Sequence, residues 1–536
     1  EAAVLKEVEG LRDTGTVEWI PESEARKLPG FTDPLPTLYL FGIKRDQDGR
    51  EVDLKVRLVV QGNRAREGEH FEELYAPTTS HDTIRILLAI AAYHDLDCYQ
   101  LDIKQAFLHA PLQKPCFIIK PPIPGQQTSV GREDGTLERL GGVLKRSLYG
   151  LPSSPRAWYE TYSSYLRSLG FHQLAGDSCL FVKRQGEDFC MTSIFVDDAL
   201  IVSSTPEMRD DFVAKLTQRF PVKSSETGEA SWLLGIKIER LREEGVIRCS
   251  QTQAIIKLAE ACGATKASMA FKVPMVPVAL PKHNEPGVDP KKCVNGLSYR
   301  AVIGSLLHIS LSTRPDIAAS VAVLARHSET PGPEHVKALM RVVGYTYHTR
   351  DLGIMYQKDG TTPANTPMLV QRAVHPLDPE RRRLLMSFSD ADYAGAHDRR
   401  STSGYAVFLH GGPVIWSSRI QKVVAQSTAE AEVIAAAEVV KEVVHVRLIL
   451  SELGFGSGVQ KPTMVMEDNA ACVAFAKGQK NHRRAKHFEV RLRYLQDQVT
   501  GGVVQFIQTP SALQVADILT KPLPESRFVR LRDQLL

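Results

Sequence analysis

The chain has 536 residues, of which 43% are hydrophobic and 24% charged, a composition that indicates folded globular protein and excludes a mainly disordered chain. The net charge is only +4, which is compatible with a nucleic-acid partner but does not argue for one. The eight cysteines are scattered without a C-x-x-C pair, which argues against a zinc ribbon or a disulfide framework and favours a reducing compartment.

The first residues and the longest apolar runs give expectations about targeting. The chain begins EAAVLKEVEG, with neither an initiator methionine nor a signal peptide. No apolar run is long enough to span a bilayer. We therefore expect a fragment or a processed piece of a longer protein that makes no membrane contact.

The first block of the chain mixes strands and helices. VDLKVRLVVQG alternates apolar and polar residues as a strand does, and TIRILLAIAAYHD has helical spacing. CYQLDIKQAFLHA and MTSIFVDDALIVSS each hold aspartate within a short apolar run. Two stretches rich in proline, 271–295 and 357–383, are typical of linkers. They divide the chain into a first, a middle and a last block.

The two later blocks have different patterns. The middle block predicts helices in YRAVIGSLLHISLS, RPDIAASVAVLARHSE and PEHVKALMRVVGYTYHT, and Pro333 suits the start of the last one. The last block predicts strands in LLMSFSDADYAG, GYAVFLHG and PVIWSS, then a long helix in STAEAEVIAAAEVVKEVVHVRLILSEL and a strand in PTMVMEDN. This order indicates a compact α/β domain.

Asp197 and Asp198 lie between the apolar runs TSIFV and ALIVSS. Taken alone, they favour a hairpin turn, because aspartate is a common turn residue. The alternative is a metal site at the hairpin tip, since hard divalent cations prefer carboxylate oxygens. Asp102, in a second strand-like run, would add a third carboxylate, enough for two ions that assist phosphoryl transfer to a 3′-hydroxyl.

At this point the chain resembles the reverse transcriptases of Ty1/copia-type retrotransposon polyproteins. The matching stretches occur in the family's order and are VRLVVQG, YAPTTSHDTIRILLAIA, LDIKQAFLHA, LKRSLYGLPSSPRAWY, DSCLF, FVDDALIV, LLGIKIER, YRAVIGSLLHIS and TRPDIAASVAVLAR. The resemblance implies an α/β (α+β) multidomain protein. It implies the fingers, palm and thumb of a right-hand polymerase, followed by a ribonuclease H-like α/β domain.

The resemblance also assigns roles around the first carboxylates. It implies that Asp102 and Asp197 are the principal metal ligands, with Asp198 assisting. Phe107 matches the steric gate, whose ring would crowd a ribose 2′-hydroxyl and so select deoxynucleotides. Phe195 departs from the pattern, because many relatives have tyrosine there, but its ring would pack beside the ions without binding them.

A nucleotide pocket is implied by the same resemblance. Arg57 matches the fingers arginine that holds the incoming triphosphate, since a guanidinium group suits phosphate oxygens, and Lys55 would help more weakly. Tyr149 and Gly150 match the segment that lines the pocket. Trp158 is expected in the core behind it.

Four acids in the last block form a second constellation: Asp390, Glu432, Asp468 and Asp517. Taken singly, each suits a strand-end turn, a helix N-terminus or a helix surface. Together they resemble the Asp-Glu-Asp-Asp set of ribonuclease H, and RRSTSGYAVFLHG, WSSRIQKVVAQSTAEAE and VADILTKPLP match its copia-type version. Four acids can hold two ions that flank a scissile phosphate, and the RNA of a hybrid is the expected substrate.

Two choices within this set stay open at the level of sequence. Glu430 and Glu432 both lie near the start of the long helix, and the apolar pattern that follows favours Glu432. Asp392 competes less well with Asp390. Cellular ribonucleases H carry a mobile histidine shortly before the last aspartate, but here no histidine follows His487. We therefore expect that helper to be missing or replaced.

A basic run follows Asp468. A charge run is often only a solvated face, but in a domain that tracks a hybrid duplex phosphate contact is the better interpretation. The predicted nucleic-acid-binding residues are Lys480, Arg483, Arg484, Lys486 and Arg491.

The predicted domains are a lead-in (1–36), fingers and palm (37–245), a thumb-like helical region (246–356), a linker (357–383) and the ribonuclease H-like domain (384–536). The predicted cofactor is Mg²⁺, with Mn²⁺ as the alternative, at two ions per active site. Predicted partners are RNA template, primer, RNA–DNA hybrid, deoxynucleoside triphosphates, and the protease, integrase and capsid of the same polyprotein. The predicted location is a cytoplasmic virus-like particle, with a nuclear phase. The alternative is a decayed or co-opted copy that binds nucleic acid without catalysis.

Overall fold

The computed structural model describes residues 1–45, 51–125, 127–131, 136–224, 227–278, 280–281, 288–358, 385–479 and 488–536. Contacts divide the chain into two compact units, each built from separate stretches. Unit 1 comprises 1–79, 99–174 and 178–229, and unit 2 comprises 80–98, 175–177 and 230–536. The predicted α/β multidomain class is confirmed. The predicted domain boundaries stay predictions.

The helices of the described residues are α1 (Ala2–Asp13), α2 (Glu22–Ala25), α3 (His81–Tyr93), α4 (Ser154–Ser168), α5 (Pro206–Arg219), α6 (Thr252–Cys262), α7 (Tyr299–Ser312), α8 (Ala318–Ala325), α9 (Pro333–His348), α10 (Thr428–Glu452), α11 (Ala470–Ala476), α12 (Glu489–Thr500) and α13 (Glu525–Leu535). Within the described ranges, no helix combines the length and apolar character that crossing a membrane requires.

The strands are β1 (Val17–Pro21), β2 (Thr37–Arg45), β3 (Glu51–Val60), β4 (Asp97–Asp102), β5 (Pro111–Ile119), β6 (Ser129–Gly131), β7 (Leu137–Arg146), β8 (His172–Gln173), β9 (Leu180–Gln185), β10 (Asp188–Phe195), β11 (Asp198–Ser203), β12 (Gly228–Glu229), β13 (Trp232–Leu233), β14 (Ile236–Leu241), β15 (Val246–Ser250), β16 (Ile354–Gln357), β17 (Leu385–Asp392), β18 (Thr402–Leu409), β19 (Gly412–Ile420), β20 (Thr463–Glu467) and β21 (Val504–Gln508).

Unit 1 is organised around a six-stranded sheet of order β12-β4-β11-β10-β9-β8. Helix α4 covers its core with Trp158, Tyr162 and Leu166, which recur every four residues and so share one helix face. Trp158 is 1% exposed, so its predicted place in the core is confirmed. A second sheet has the order β1-β7-β5, with β6 also on β7, and β2 and β3 form a separate hairpin.

Unit 2 contains a five-stranded sheet of order β19-β18-β17-β20-β21. Strands β17, β18 and β19 are antiparallel neighbours, whereas β20 runs parallel to β17 and to β21. Helix α10 packs against β17 and β18. The long helix and the strands predicted for this block are confirmed.

The remainder of unit 2 is mainly helical, with a second sheet of order β13-β14-β15-β16. Helices α7 and α9 confirm two of the predicted helices, and α9 begins at Pro333 as expected. The stretch between them begins with a short 3₁₀ turn, Pro315–Ile317, before α8. Helix α3 also belongs to this unit, although its sequence neighbours on both sides belong to unit 1.

Candidate active sites

Asp197 and Asp198 lie at the tip of the hairpin between β10 and β11. Phe195 pairs with Asp198, so Val196 and Asp197 form the turn. Val196 has a φ of +55°, a conformation that is costly for a β-branched residue and that clusters at functional sites. The indole nitrogen of Trp158 donates a hydrogen bond to the carbonyl oxygen of Val196, which fixes the turn from the core side. Asp197 therefore lies in a hairpin turn, as one interpretation of the sequence had it, and this position is compatible with the alternative of a metal site at the hairpin tip.

Asp102 ends strand β4, which neighbours β11 in the sheet. The backbone amide of Ile103 donates to the carbonyl of Asp197 at 2.8 Å, so Asp102 lies beside the turn. The carboxylate of Asp102 is buried and forms an ion pair with Lys223. The amide of Lys223 also donates to the carbonyl of Asp102 at 2.9 Å. Sequence analysis missed Lys223, because a lone lysine carries no signal of its distant partner.

Two of the predicted nucleotide-binding side chains, Lys55 and Tyr149, interact electrostatically with Asp197. Burial, together with Arg57 and Lys223, lowers the pKa of Lys55, while Asp197 and Asp102 oppose that shift. The site therefore places three cations near two carboxylates. Such a distribution suits a ligand that carries both phosphate groups and divalent cations.

An aromatic wall flanks the cations. The guanidinium carbon of Arg57 lies 4.1 Å from the centre of the Tyr149 ring, and Tyr149 meets Phe107 edge to face at 5.6 Å between ring centres. Burial raises the pKa of Tyr149 to about 12, so its hydroxyl stays protonated at neutral pH. The side chains of Arg57, Tyr149 and Phe107 form one continuous surface from strand β3 to the 3₁₀ turn Ala106–His109.

Gly150 lets this wall approach β3. Its φ is +85°, and a Cβ atom there would lie 2.1 Å from the carbonyl oxygen of Val60. The amide of Val60 donates to the carbonyl of Tyr149 at 2.8 Å. A side chain at position 150 would therefore push the Tyr149 segment away from the strand that carries Arg57.

In unit 2, Asp390, Glu432 and Asp468 each offer a ligand atom, and the three atoms lie within 4.8 Å of one another. The residues come from β17, the first turns of α10 and the end of β20. Among the described residues, no other group of three His, Cys, Asp or Glu side chains brings its ligand atoms within 4.8 Å of one another. The acids of unit 1 do not form such a group. The structure therefore assembles three of the four predicted acids tightly.

The electrostatics of this trio suit a divalent cation. Burial first, then the charges of Asp517 and Asp468, raise the pKa of Asp390 to about 6, while Lys521 opposes the shift. Burial and the neighbouring Glu467 and Asp390 raise the pKa of Glu432. One carboxylate oxygen of Glu432 is buried without a hydrogen-bond partner in the described part of the chain. A bound cation would relieve both the repulsion and the missing contact.

Glu467 is an acid of this site that sequence analysis did not single out. It is fully buried, accepts a hydrogen bond from the Ser389 hydroxyl at 2.8 Å and another from the Asn469 amide at 3.1 Å. Burial raises its pKa well above the ordinary value. Its position immediately before Asp468 was visible in the sequence, but alternation along a strand places the two side chains on opposite faces, which gave no reason to join them.

The choice between Glu430 and Glu432 follows from helix capping. Ser427 caps α10 by accepting from the Glu430 amide at 3.2 Å, and the Glu430 carboxylate accepts from the Gln426 amide at 2.7 Å. Glu430 is thus engaged at the helix start, in the manner of a capping box. Glu432 is the one that joins Asp390 and Asp468.

Asp517 lies near the trio but is held differently. Its two carboxylate oxygens pair with Lys521, at 2.8 Å, and with Arg527. The Thr520 hydroxyl, from the same segment, donates to Asp390 at 2.6 Å. Asp517 belongs to a 3₁₀ turn, Val515–Leu519, that packs against β17 and β18.

Gln514 joins this 3₁₀ turn to the strands of the other acids. Its side-chain nitrogen donates to the carbonyls of Ser389, at 2.9 Å, and Met466, at 3.3 Å. Its side-chain oxygen caps the turn by accepting from the Ala516 amide. Gln514 is fully buried, and sequence analysis missed it because glutamine is rarely singled out as a structural residue.

Of the predicted nucleic-acid-binding residues, Arg491 is described and lies half-buried on α12. The other four, Lys480, Arg483, Arg484 and Lys486, lie outside the described residues. Their role therefore stays a prediction.

Comparison with known proteins agrees with the resemblance read from the motifs. Residues 24–277 match the family described as "Reverse transcriptase (RNA-dependent DNA polymerase)". The chain is 31% identical to the retrovirus-related Pol polyprotein from transposon TNT 1-94 of Nicotiana tabacum, over 98% of this chain and 37% of that protein. It is 24% identical to the transposon TyH3 Gag-Pol polyprotein of Saccharomyces cerevisiae, over 93% of this chain and 27% of that protein.

The chain thus spans roughly a third of the length of these curated relatives. Among solved structures, a foamy viral protease-reverse transcriptase in complex with RNA/DNA hybrid covers 94% of this chain and 52% of that chain, at 12% sequence identity and a TM-score of 0.49. The resemblance to Ty1/copia-type polyproteins is confirmed by the sequence relatives.

Proposed function

We propose that this chain, which carries a reverse transcriptase domain and is related over most of its length to Pol polyproteins of Ty1/copia-type transposons, copies RNA into DNA and cleaves the RNA of the resulting hybrid. The observation that carries the proposal is the position of Asp102 beside the Asp197–Asp198 turn, with Lys55 close enough to interact electrostatically with Asp102, Asp197 and Arg57. Metal-assisted phosphoryl transfer needs this combination of carboxylates and phosphate-binding cations.

In the polymerase site, Asp102, Asp197 and Asp198 would hold Mg²⁺, or Mn²⁺ in its place. These ions supply charge stabilisation for attack of a primer 3′-hydroxyl on the incoming triphosphate. Arg57 binds the triphosphate, and its stacking on Tyr149 keeps the guanidinium plane oriented. Lys223 neutralises the carboxylate of Asp102 through their ion pair. When a nucleotide binds, Lys223 would release this carboxylate or share it with a metal ion.

In unit 2, Asp390, Glu432, Asp468 and Asp517 would hold the divalent cations for hydrolysis of the RNA strand. Thr520 and Gln514 keep the acids at their spacing through the hydrogen bonds described above. The segment that contains Lys480 and Arg491 would contact phosphates of the hybrid. Template, primer and deoxynucleoside triphosphates are the proposed ligands, and the protease, integrase and capsid of the same polyprotein are the proposed partners, in a cytoplasmic particle with a nuclear phase.

The first test is primer extension by the full chain on an oligo(dT)-primed RNA template with Mg²⁺. We expect the Asp197→Asn/Asp198→Asn variant to lose incorporation of deoxynucleotides by at least about a hundredfold, because the metal-binding carboxylates are gone. The matched control is Asp210→Asn/Asp211→Asn, an adjacent pair of exposed aspartates in the same unit, which should extend the primer normally.

Assays of primer extension, hybrid cleavage and hybrid binding on the same preparations distinguish the two proposed activities from each other and from the alternative function. Asp468→Asn should abolish hybrid cleavage while primer extension continues, because the two sets of acids lie in different units. If the unaltered chain binds the hybrid tightly yet neither extends nor cleaves, the proposal fails, and a decayed or co-opted nucleic-acid-binding protein is the better description.

A further inference from the structure

Asp517 is the one predicted acid of the unit 2 site whose carboxylate is already neutralised by side chains. Lys521 lies 2.8 Å from one of its oxygens, and Arg527 pairs with the other. Arg527 is itself anchored, since it donates to the carbonyl of Ser511 at 2.9 Å. Both cations are 37–39% exposed at the side chain, whereas that of Asp517 is 3% exposed.

Lys521 interacts electrostatically with Asp390 and Asp392 as well as with Asp517. The charges of Asp390, Asp517 and Asp392 raise the pKa of Lys521 against the effect of burial, so its ammonium group is held in the charged form. The trio of Asp390, Glu432 and Asp468 differs from Asp517, because among the described residues none of its three carboxylates forms an ion pair with a lysine or arginine.

The two halves of the site are therefore unequal toward divalent cations. An ion between Asp390, Glu432 and Asp468 meets carboxylates that repel one another. An ion that took Asp517 as a ligand would have to displace or share the ion pairs that Asp517 forms with Lys521 and Arg527. The positive charge of Lys521 repels such an ion, and the 39% exposure of the lysine side chain to solvent reduces that repulsion without removing it.

We propose that Lys521 and Arg527 act as built-in counter-ions that weaken the binding of a second divalent cation at Asp517, so that the trio fills first. This inference rests on the proposed function of the unit 2 acids as a metal site. It makes Lys521 and Arg527 positioning residues, which control when Asp517 becomes available as a ligand.

The test is titration of Mn²⁺ into the full chain, followed by the electron paramagnetic resonance signal of the free ion. The Asp197→Asn/Asp198→Asn background removes two of the three proposed metal-binding acids of the polymerase site, so that the measured steps report on unit 2. We expect a tight and a weak step in unit 2. In Lys521→Gln the weak step should tighten by about tenfold, because one repelling charge is lost. Lys521→Arg, which keeps the charge, should leave both steps unchanged.

A double-mutant cycle assigns the effect to Asp517. In Asp517→Asn the weak step should disappear, and adding Lys521→Gln should then tighten nothing. Arg527→Gln is the second variant of the counter-ion pair and should also tighten the weak step. Lys441→Gln, an exposed lysine of unit 2 that pairs with Glu438, is the matched control and should behave as the unaltered chain does.

Failure of the inference and failure of the proposed function give different results. If Asp390→Asn removes Mn²⁺ binding but Lys521→Gln and Arg527→Gln leave or weaken the second step, the counter-ion role is wrong while the metal site stands. If Asp390→Asn leaves both steps unchanged, the acids of unit 2 do not form the metal site, and the proposed cleavage activity falls with it.

Discussion

Phe107 lies edge to face against Tyr149, and Tyr149 in turn carries the guanidinium group of Arg57 on its ring. A ring in this position is held by packing and cannot easily swing aside. The family resemblance gives Phe107 the role of steric gate. The packing suits that role, because a gate must resist the push of a ribose 2′-hydroxyl.

Phe107→Val should relax the choice between nucleotides. We expect the ratio of ribonucleotide to deoxynucleotide incorporation to rise by about tenfold or more, because a smaller side chain opens space for the 2′-hydroxyl. Single-nucleotide extension with each nucleotide measures the ratio. Phe41→Val, which alters a 64% exposed ring of unit 1, is the control and should leave it unchanged. An unchanged ratio in Phe107→Val would remove the gate assignment.

Some single residues that contact the proposed sites could not be identified from the sequence pattern. Asp102, Asp390 and Asp468 were named because the motifs that contain them resemble those of Ty1/copia-type polyproteins, whereas each acid alone also suits an ordinary strand end. Lys223 and Gln514 were not found, since each contacts the acids or their strands through partners 48 to 125 positions away in the chain. No local spacing rule connects such pairs.

At the scale of elements, the 3₁₀ turn Val515–Leu519 depends on a glycine in the strand beneath it. A Cβ atom at Gly404 would lie 2.6 Å from a methyl carbon of Thr520, 2.9 Å from the carbonyl oxygen of Ala516 and 3.0 Å from the backbone of Leu519. Two of these three atoms are backbone, so relief requires the turn to move. The turn carries Asp517, and Thr520 directly after it binds Asp390.

Gly404→Ala should therefore damage one activity selectively. We expect a loss of about 1–3 kcal/mol in the free energy of unfolding, as for other overpacked sites. Hybrid cleavage should fall by at least about tenfold, because a misplacement of catalytic groups by 1 Å can cost up to about a hundredfold in rate. Primer extension should stay within about twofold, well inside the smallest effects that catalytic groups produce. Both assays on one preparation measure the contrast.

Gly304→Ala is the control for that contrast. It adds the same methyl group on α7 with nothing within 4 Å of the new Cβ atom. Equal losses of cleavage and extension in Gly404→Ala would indicate general misfolding and contradict the role given to the turn.

At the scale of the whole chain, unit 2 gathers segments that are far apart in sequence. Arg85 of α3 is 3% exposed and donates to the carbonyls of Val414, Leu311 and Ser312 at 2.7, 2.7 and 3.0 Å. Its guanidinium carbon lies 3.9 Å from the centre of the Trp416 ring. One buried side chain thus connects α3, the end of α7 and strand β19.

Arg85→Met should destabilise unit 2 as a body. We expect the free energy of unfolding to fall by about 3 kcal/mol, because three buried carbonyls and the Asp82 carboxylate lose their partner. Urea unfolding followed by circular dichroism, with tryptophan fluorescence as a second probe, measures it. Arg242→Met, which removes a half-exposed arginine paired with Asp97 in the same unit, should cost less than about 1 kcal/mol. Similar costs for both variants would mean that Arg85 does not connect the segments energetically.

The sequence by itself determined which residues form strands and helices, because the period of the apolar residues is a local property. Its motifs also resemble those of a known family, and so Asp390, Glu432 and Asp468 could be named before their geometry was known. The tertiary structure showed that Glu432 joins Asp390 and Asp468 while Glu430 accepts from the Gln426 amide at the helix start, and it alone decided that Asp517 is held by Lys521 and Arg527. It alone placed α3 in unit 2, through contacts that span more than three hundred residues of chain. The physical reason is that burial and charge pairing depend on which distant segments meet in space, whereas spacing along the chain specifies only what each segment can form alone.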